Sequence, residues 1–373
     1  MKPIFILLTA TLLLGLTTFP GMAQQPPEPT ASAAILMDYT TGKILYQKNA
    51  YERRFPASTT KILTAIVAIE KGNLKKIITA DATAAKTDGS SIWLKAGERQ
   101  TLKDLLYGIL LNSGNDACVA VADSLAGSEK RFTSWMNTKA YEIGAKDSHF
   151  ANSNGLPNPV HFTTAYDLSL ITRYAMKNPV FAEIVRTKRK TIPWPGRDYD
   201  RVMINHNKLL WRYEYADGVK TGYTMEAGKC LVSSATKDNH RLIAVVLNSR
   251  DMYGDSQRLF DYGFSHYQLL SLASPQETLS QVNVTEGIAS QVPVSANRPL
   301  NLLIPKGDES KLRVNLELRS SLRAPVERMQ QVGELQVKMG ERLIEKVPVV
   351  TLARVPQKSW WRRIWDWLRG FIG

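Results

Sequence analysis

Three short strings constrain this chain more than anything else in it: Ser58-Thr-Thr-Lys61, Ser113-Gly-Asn115 and Lys220-Thr-Gly222, in that order. A serine hydroxyl is a poor nucleophile until a neighbouring base takes its proton. A lysine three positions later shares its face of a helix, so Ser58 and Lys61 meet without tertiary help. The other two strings must then be folded onto that helix from far along the chain. Taken singly, each has an ordinary reading. Ser58 would cap a helix, Ser113-Gly-Asn115 would be a turn, and Lys220-Thr-Gly222 an exposed loop. Their order, spacing and context together point to a catalytic site instead.

In that site Ser58 is the nucleophile and Lys61 its base. An amine of ordinary pKa, about 10.4, is protonated at neutral pH. Lys61 therefore needs desolvation or a nearby cation to become a base, and Lys220 is the expected cation. Ser113 is read as a proton relay and Asn115 as a donor to a substrate amide carbonyl. Lys220 and Thr221 are read as the grip on a substrate carboxylate. Gly222 allows close backbone approach, and the N–H groups of Ser58 and Tyr223 are the expected oxyanion hole. A histidine triad is a poor rival. No Gly-x-Ser-x-Gly elbow occurs in the chain, and no two of His149, His161, His206, His240 and His266 have metal-ligand spacing. Each is read as a surface or polar-loop residue, and no metal or cofactor is expected. Cys118 and Cys230 fall in apolar helix and strand patterns and are read as buried small hydrophobes.

With 373 residues the chain exceeds the usual size of one core. Lys2, an apolar run over 4–16 and Thr17-Thr-Phe-Pro-Gly-Met-Ala23 form the pattern of a secretory signal over 1–23, cleaved after Ala23. Export makes anionic polymers and lipid headgroups, not nucleic acid, the expected partners of a chain with net charge +14. A Pro-rich linker occupies 24–32. A hairpin is expected over 33–47, helices over 59–71, 101–111, 117–125, 132–143, 166–176 and 256–267, and a second hairpin over 229–247. These elements make one α+β domain over 33–272. From 275 to 350 short alternating runs replace helical periodicity and predict a small all-β domain. In 357–373, Trp360, Trp361, Ile364, Trp365, Trp367, Leu368, Phe371 and Ile372 recur at helical spacing opposite Arg362, Arg363, Asp366 and Arg369. That stretch is too short and charged to span a bilayer. It predicts an amphipathic helix lying in the membrane surface.

The strings also carry a resemblance. Leu36-Met-Asp-Tyr-Thr-Thr-Gly-Lys-Ile-Leu-Tyr46, Pro56-Ala-Ser-Thr-Thr-Lys61, Leu106-Tyr-Gly-Ile-Leu-Leu-Asn-Ser-Gly-Asn-Asp-Ala117, Asn152-Ser-Asn-Gly-Leu-Pro157, Thr163-Thr-Ala-Tyr-Asp-Leu168 and Asp217-Gly-Val-Lys-Thr-Gly-Tyr-Thr224 resemble the low-molecular-mass penicillin-binding proteins that are serine-type D-alanyl-D-alanine carboxypeptidases. The likeness covers about 33–270. It implies a serine β-lactamase/transpeptidase-like fold, a five-stranded antiparallel sheet flanked by helices. It implies removal of the terminal D-Ala from peptidoglycan stem peptides through an acyl-enzyme, β-lactams acylating the same serine, and a membrane anchor in the C-terminal helix. Two positions depart from the family pattern. Tyr223 stands where many members carry His. Where many carry Arg before the last helix the register gives Met252, with Arg250 two residues away as the candidate. A DD-endopeptidase acting on cross-links is the alternative enzyme. A β-lactamase is less favoured, since Ser113-Gly-Asn115 replaces Ser-Asp-Asn. A wall-binding scaffold without turnover is the alternative from another class. The expected location is the outer face of the cytoplasmic membrane, periplasmic if the host has an outer membrane.

Overall fold

The computed structural model describes residues 26–361. The signal segment 1–23 and the greater part of the amphipathic segment 357–373 lie outside the described residues. The chain is α+β, as the sequence predicts. Its first domain is built on a five-stranded antiparallel sheet, ordered Ile44–Lys48, Ala33–Asp38, His240–Ser249, Gly228–Lys237, Ala216–Thr224. Both faces of this sheet are covered. Ala33, Ile35, Met37, Val245 and Leu247 point into a core shared with the helices. Ala34, Leu36, Ala244 and Val246 point the other way, against Leu259, Phe260 and Phe264 of the Met252–His266 helix. Two-sided burial explains why Ala33–Asp38 reads as an unbroken apolar run instead of an alternating one. Asp238 and Asn239 both have positive φ and form the two-residue turn between the last two strands, the conformation such turns favour.

The Lys61–Lys71 helix runs through the middle of the helical layer and is buried from Lys61 to Ala68. Around it pack the helices Leu102–Leu111, Asn115–Ala126, Glu129–Ile143 and Ala165–Ala175. Three of these starts are capped by side chains, of Thr101, Ser128 and Thr164, each accepting from a backbone N–H three residues on. Gly144 ends one of them in the left-handed region, φ +97. The sequence reading misses the Pro179–Arg186 helix and two short hairpins. These pair Ile77–Thr79 with Arg99–Thr101, and Arg189–Ile192 with Arg201–Ile204. Thr30 and Ala31, at the end of the Pro-rich segment, are tied down. Their N–H groups and the Thr30 hydroxyl donate to the Asp255 carboxylate at 2.8–3.0 Å.

The β-rich region has its own core of Val292, Val294, Val337, Val347 and Val349. Six strands form its sheet, ordered Leu312–Leu318, Gln331–Met339, Arg342–Thr351, Gln291–Ala296, Ser280–Thr285, Ser321–Arg323. The strand Leu300–Pro305 does not join it. It pairs with Tyr267–Ala273, which continues from the last helix of the first domain. Among the described residues no helix is long and apolar enough to cross a membrane.

Candidate active site

Ser58 sits in a 3-10 turn, Ala57–Thr60, that runs directly into the Lys61–Lys71 helix. Ala57 is held at φ +47, a strained conformation for a residue with a side chain, immediately before the serine. Lys61 Nζ donates to Ser58 Oγ at 2.9 Å, to Asn115 Oδ1 at 2.7 Å and to the Asn154 carbonyl at 2.5 Å. Three acceptors match the three donors of an ammonium. Loss of one proton leaves a lone pair that can accept the Ser58 hydroxyl proton.

Lys61 is fully buried, and burial lowers its pKa to about 8; Cys118 and Asp116 nearby act in the opposite direction. Lys220, also buried, is pushed well below its usual value, first by burial and then by the charge of Lys61. Removal from water is the main cause for both lysines, and at Lys220 the charge of Lys61 lowers it further. Lys220 Nζ donates to the Thr221 carbonyl at 2.9 Å.

Asn115 opens its helix from the second string. Its N–H donates to Ser90 O at 2.7 Å and its side-chain Nδ2 to Asp88 O at 2.6 Å. These partners fix the amide orientation, with Oδ1 toward Lys61. One Nδ2 hydrogen is thus already engaged, leaving the other for a substrate carbonyl. Ser113 is nearly buried in the connecting turn at φ +63. The third string lies on Ala216–Thr224, the edge strand of the sheet beside the Ser58 turn. A Cβ at Gly222 would come within 3.0 Å of Ser58 N and 3.1 Å of Pro56 O, so glycine is what permits the contact. Thr221 is half-buried and Tyr223 is 63% exposed.

Ser58, Lys61 and Asn115 are thus joined by direct hydrogen bonds, Gly222 by contact and Lys220 by charge. Arg250 is different. It is exposed in the turn before the Met252–His266 helix, and its backbone N–H donates to Thr30 Oγ1 at 3.1 Å. No described contact brings it to the Ser58 cluster.

The sequence reading misses the groups that hold this cluster in place. The loop 152–157, one of the strings that carry the resemblance but given no role in the site from the sequence, supplies the Asn154 carbonyl. Ser153 anchors that loop: its N–H and hydroxyl donate to Glu129 Oε1 at 2.9 and 2.6 Å, and its carbonyl accepts from Thr64 Oγ1 at 2.5 Å. Gly155, φ +87, lies so close to the Ala57 carbonyl that a Cβ would fall 1.9 Å from its oxygen. The one available signal was a glycine between polar turn residues. Asp116 accepts from Ser91 Oγ, Ile92 N and Leu94 N, which fastens residues 91–94 beside Asn115.

Two histidines read as surface or polar-loop residues are buried. His161 Nε2 bonds Thr60 Oγ1 at 2.8 Å, and its Nδ1 accepts from Ala151 N–H at 3.3 Å. Burial lowers its pKa to about 4, so the ring is neutral at physiological pH. His240 bonds the buried Asp38 carboxylate at 3.0 Å. Their polar partners allow them inside, and those partners come from distant segments that sequence spacing does not reveal. Both cysteines are free and buried, their thiols pushed up to about 12 for Cys118 and about 11 for Cys230 by burial.

Comparison with known proteins gives two family matches. A model described as D-alanyl-D-alanine carboxypeptidase matches residues 21–251, and one described as penicillin-binding protein 5, C-terminal domain, matches 267–357. The chain is similar to D-alanyl-D-alanine carboxypeptidase DacF of Bacillus subtilis, 34% identical with 92% of each chain covered. It is similar to D-alanyl-D-alanine carboxypeptidase DacC of Escherichia coli, 33% identical over 92% of this chain and 89% of that one. Among solved structures, penicillin binding protein 5 from Haemophilus influenzae superposes with a TM-score of 0.73 at 29% identity, covering 89% of this chain and 99% of that one. Penicillin binding protein 6B from Escherichia coli gives 0.70 at 29% identity, covering 88% and 97%.

Proposed function

The chain belongs to the D-alanyl-D-alanine carboxypeptidase family of penicillin-binding proteins, and on that premise we propose how its residues carry out the reaction. The protein is a serine DD-carboxypeptidase. Neutral Lys61 takes the Ser58 proton as Oγ attacks the carbonyl of the penultimate D-Ala. The N–H groups of Ser58 and Tyr223 receive the developing oxyanion. Ser113 relays a proton to the amine of the departing terminal D-Ala, and water then releases the peptide from the Ser58 ester. Asn115 orients the substrate amide, while Lys220 and Thr221 receive the terminal carboxylate. An arriving anion favours the charged form of Lys220, so its depressed basicity in the empty site is no obstacle to that role. A β-lactam presents the same carbonyl and carboxylate and acylates Ser58.

The observation that carries this reading is the buried Lys61 amine, 2.9 Å from Ser58 Oγ and of lowered basicity. The test is release of D-alanine from diacetyl-Lys-D-Ala-D-Ala, together with labelling by a fluorescent penicillin. Ser58→Ala is expected to abolish both, and Lys61→Ala or Lys61→Arg to block acylation. A Lys61 variant that acylates at the wild-type rate removes it as the base.

The enzyme is placed by this reading outside the cytoplasmic membrane, acting on peptidoglycan stem peptides. The basic and apolar N-terminal pattern ending at Ala23 supports export. The Trp-rich, Arg-faced pattern of 357–373 supports attachment to a membrane surface.

A further inference from the structure

A cluster of three aromatic rings, Trp93 and Tyr199 exposed and Trp194 half-buried between them, lies outside the catalytic machinery yet is bolted to it. Trp93 is 64% exposed and Tyr199 60% exposed. The Trp93 and Trp194 rings lie 6.5 Å apart at 24°, and Tyr199 stands edge-on to Trp194 at 5.6 Å. Isolated exposed aromatics need no explanation, but a contiguous aromatic patch marks a binding surface.

This patch has a rigid mount. Arg201 is buried and pairs with Glu98 through both terminal nitrogens, at 2.9 and 3.2 Å. Its guanidinium lies 4.6 Å from the centre of the Trp194 ring and reaches the Trp93 carbonyl at 3.5 Å. Trp93 is held at φ +59, its N–H on Ser91 Oγ and its neighbours Ile92 and Leu94 on Asp116. Holding a large, exposed ring in a strained backbone is costly, and such strain concentrates at ligand sites. The loop that carries Trp93 is also tied to the Ser58 cluster through Asn115. Asp88 and Ser90, on the loop that carries Trp93, accept both described hydrogen bonds donated by Asn115.

We propose that Trp93, Trp194 and Tyr199 form a platform for the glycan strand to which the stem peptide is attached. The proposal rests on the DD-carboxypeptidase reading. A pyranose ring presents a face of C–H groups that packs on aromatic rings, while its hydroxyl and acetamido groups need polar partners at the edge. Arg197, its guanidinium 5.7 Å from the Trp194 centre, and the Tyr199 hydroxyl supply that edge. Arg197 is followed by Asp198 and Asp200. A tip of that charge suits an amphiphilic sugar better than an anionic lipid surface, which selects for basic residues.

The test compares kcat/KM on a free pentapeptide and on the same pentapeptide carried by its N-acetylglucosaminyl-N-acetylmuramyl disaccharide. Burial of one aromatic face predicts roughly tenfold preference for the disaccharide substrate. Trp93→Ala and Tyr199→Ala are each expected to reduce that substrate to the free-peptide value without changing the free-peptide value. Tyr199→Ala keeps the test sound if Trp93→Ala disturbs the loop. A wild-type enzyme without preference, or variants that retain it, overturns the platform. If neither substrate yields D-alanine, the catalytic reading fails instead. The platform is then judged by tryptophan fluorescence with tetra-N-acetylchitotetraose: saturable quenching lost in Trp93→Ala supports it, and no quenching overturns it. Weakened sedimentation of Trp93→Ala with phosphatidylglycerol vesicles, with sugar preference intact, would assign the patch to the membrane.

Discussion

Lys61 can act as a base at near-neutral pH because the fold removes it from water and gives it only neutral acceptors. Its neutral fraction rises with pH through about 8, so the rate of acylation by a fluorescent penicillin is expected to climb through that value and level off above it. A rate flat across that range would place the base elsewhere. His161 affects stability rather than chemistry. Its folded-state pKa of about 4 lies below the unfolded value, so the unfolded chain binds the extra proton first as pH falls. Its contribution is complete above about 6.5 and is lost on acidification, by about 3 kcal/mol at most between 6.5 and 4. Urea unfolding at the two ends of that window should show a steeper acid loss for the wild type than for His161→Gln. At this scale the sequence revealed the residues whose chemistry depends on local spacing, Ser58 and Lys61. It was silent on Asn154, which contributes a backbone carbonyl that any residue type could offer.

Elements were legible where local signals agreed. The helices expected over 101–111, 132–143 and 166–176 are found, opened by caps at Thr101, Ser128 and Thr164 that apolar periodicity did not single out. The strand pairs Ile77–Thr79/Arg99–Thr101 and Arg189–Ile192/Arg201–Ile204 were not legible, since strands of three or four residues are too short for apolar alternation to register. Yet the second hairpin mounts Trp194 and Tyr199, and the loop 152–157 completes the lysine site. Gly155→Ala tests that loop. Its new Cβ would collide with the Ala57 carbonyl at a positive φ, whereas Gly127, φ +81, faces open space. Gly127→Ala is expected to cost about 1 kcal/mol by urea unfolding. Gly155→Ala should cost more than about 2 kcal/mol and slow acylation, because the Ser58 turn must shift to admit it. Equal effects of the two substitutions would show that the loop does not brace the nucleophile.

For the whole molecule, the sequence indicated a change from mixed to all-β texture near residue 275. It did not indicate that Leu300–Pro305 would leave the β-domain sheet to pair with Tyr267–Ala273, because strand partners are chosen by tertiary packing. The proposed attachment through 357–373 predicts that deleting this segment releases the protein from membranes while leaving D-alanine release from soluble peptides unchanged. Sedimentation of the shortened protein with membranes would refute it.

The order of strands in the main sheet also sets a timetable. Ala33–Asp38 is synthesised well before its inner neighbour in the sheet, His240–Ser249, which lies about two hundred positions later. Pairing at such separation is slow to form and cannot be anticipated by a partial chain. The Ser58–Lys61 pair is therefore complete in sequence long before the strand carrying Gly222 has a sheet to lie on. A nascent or truncated chain carries the nucleophile without the rest of its site, and reactivity arrives only when the last strand closes onto the first.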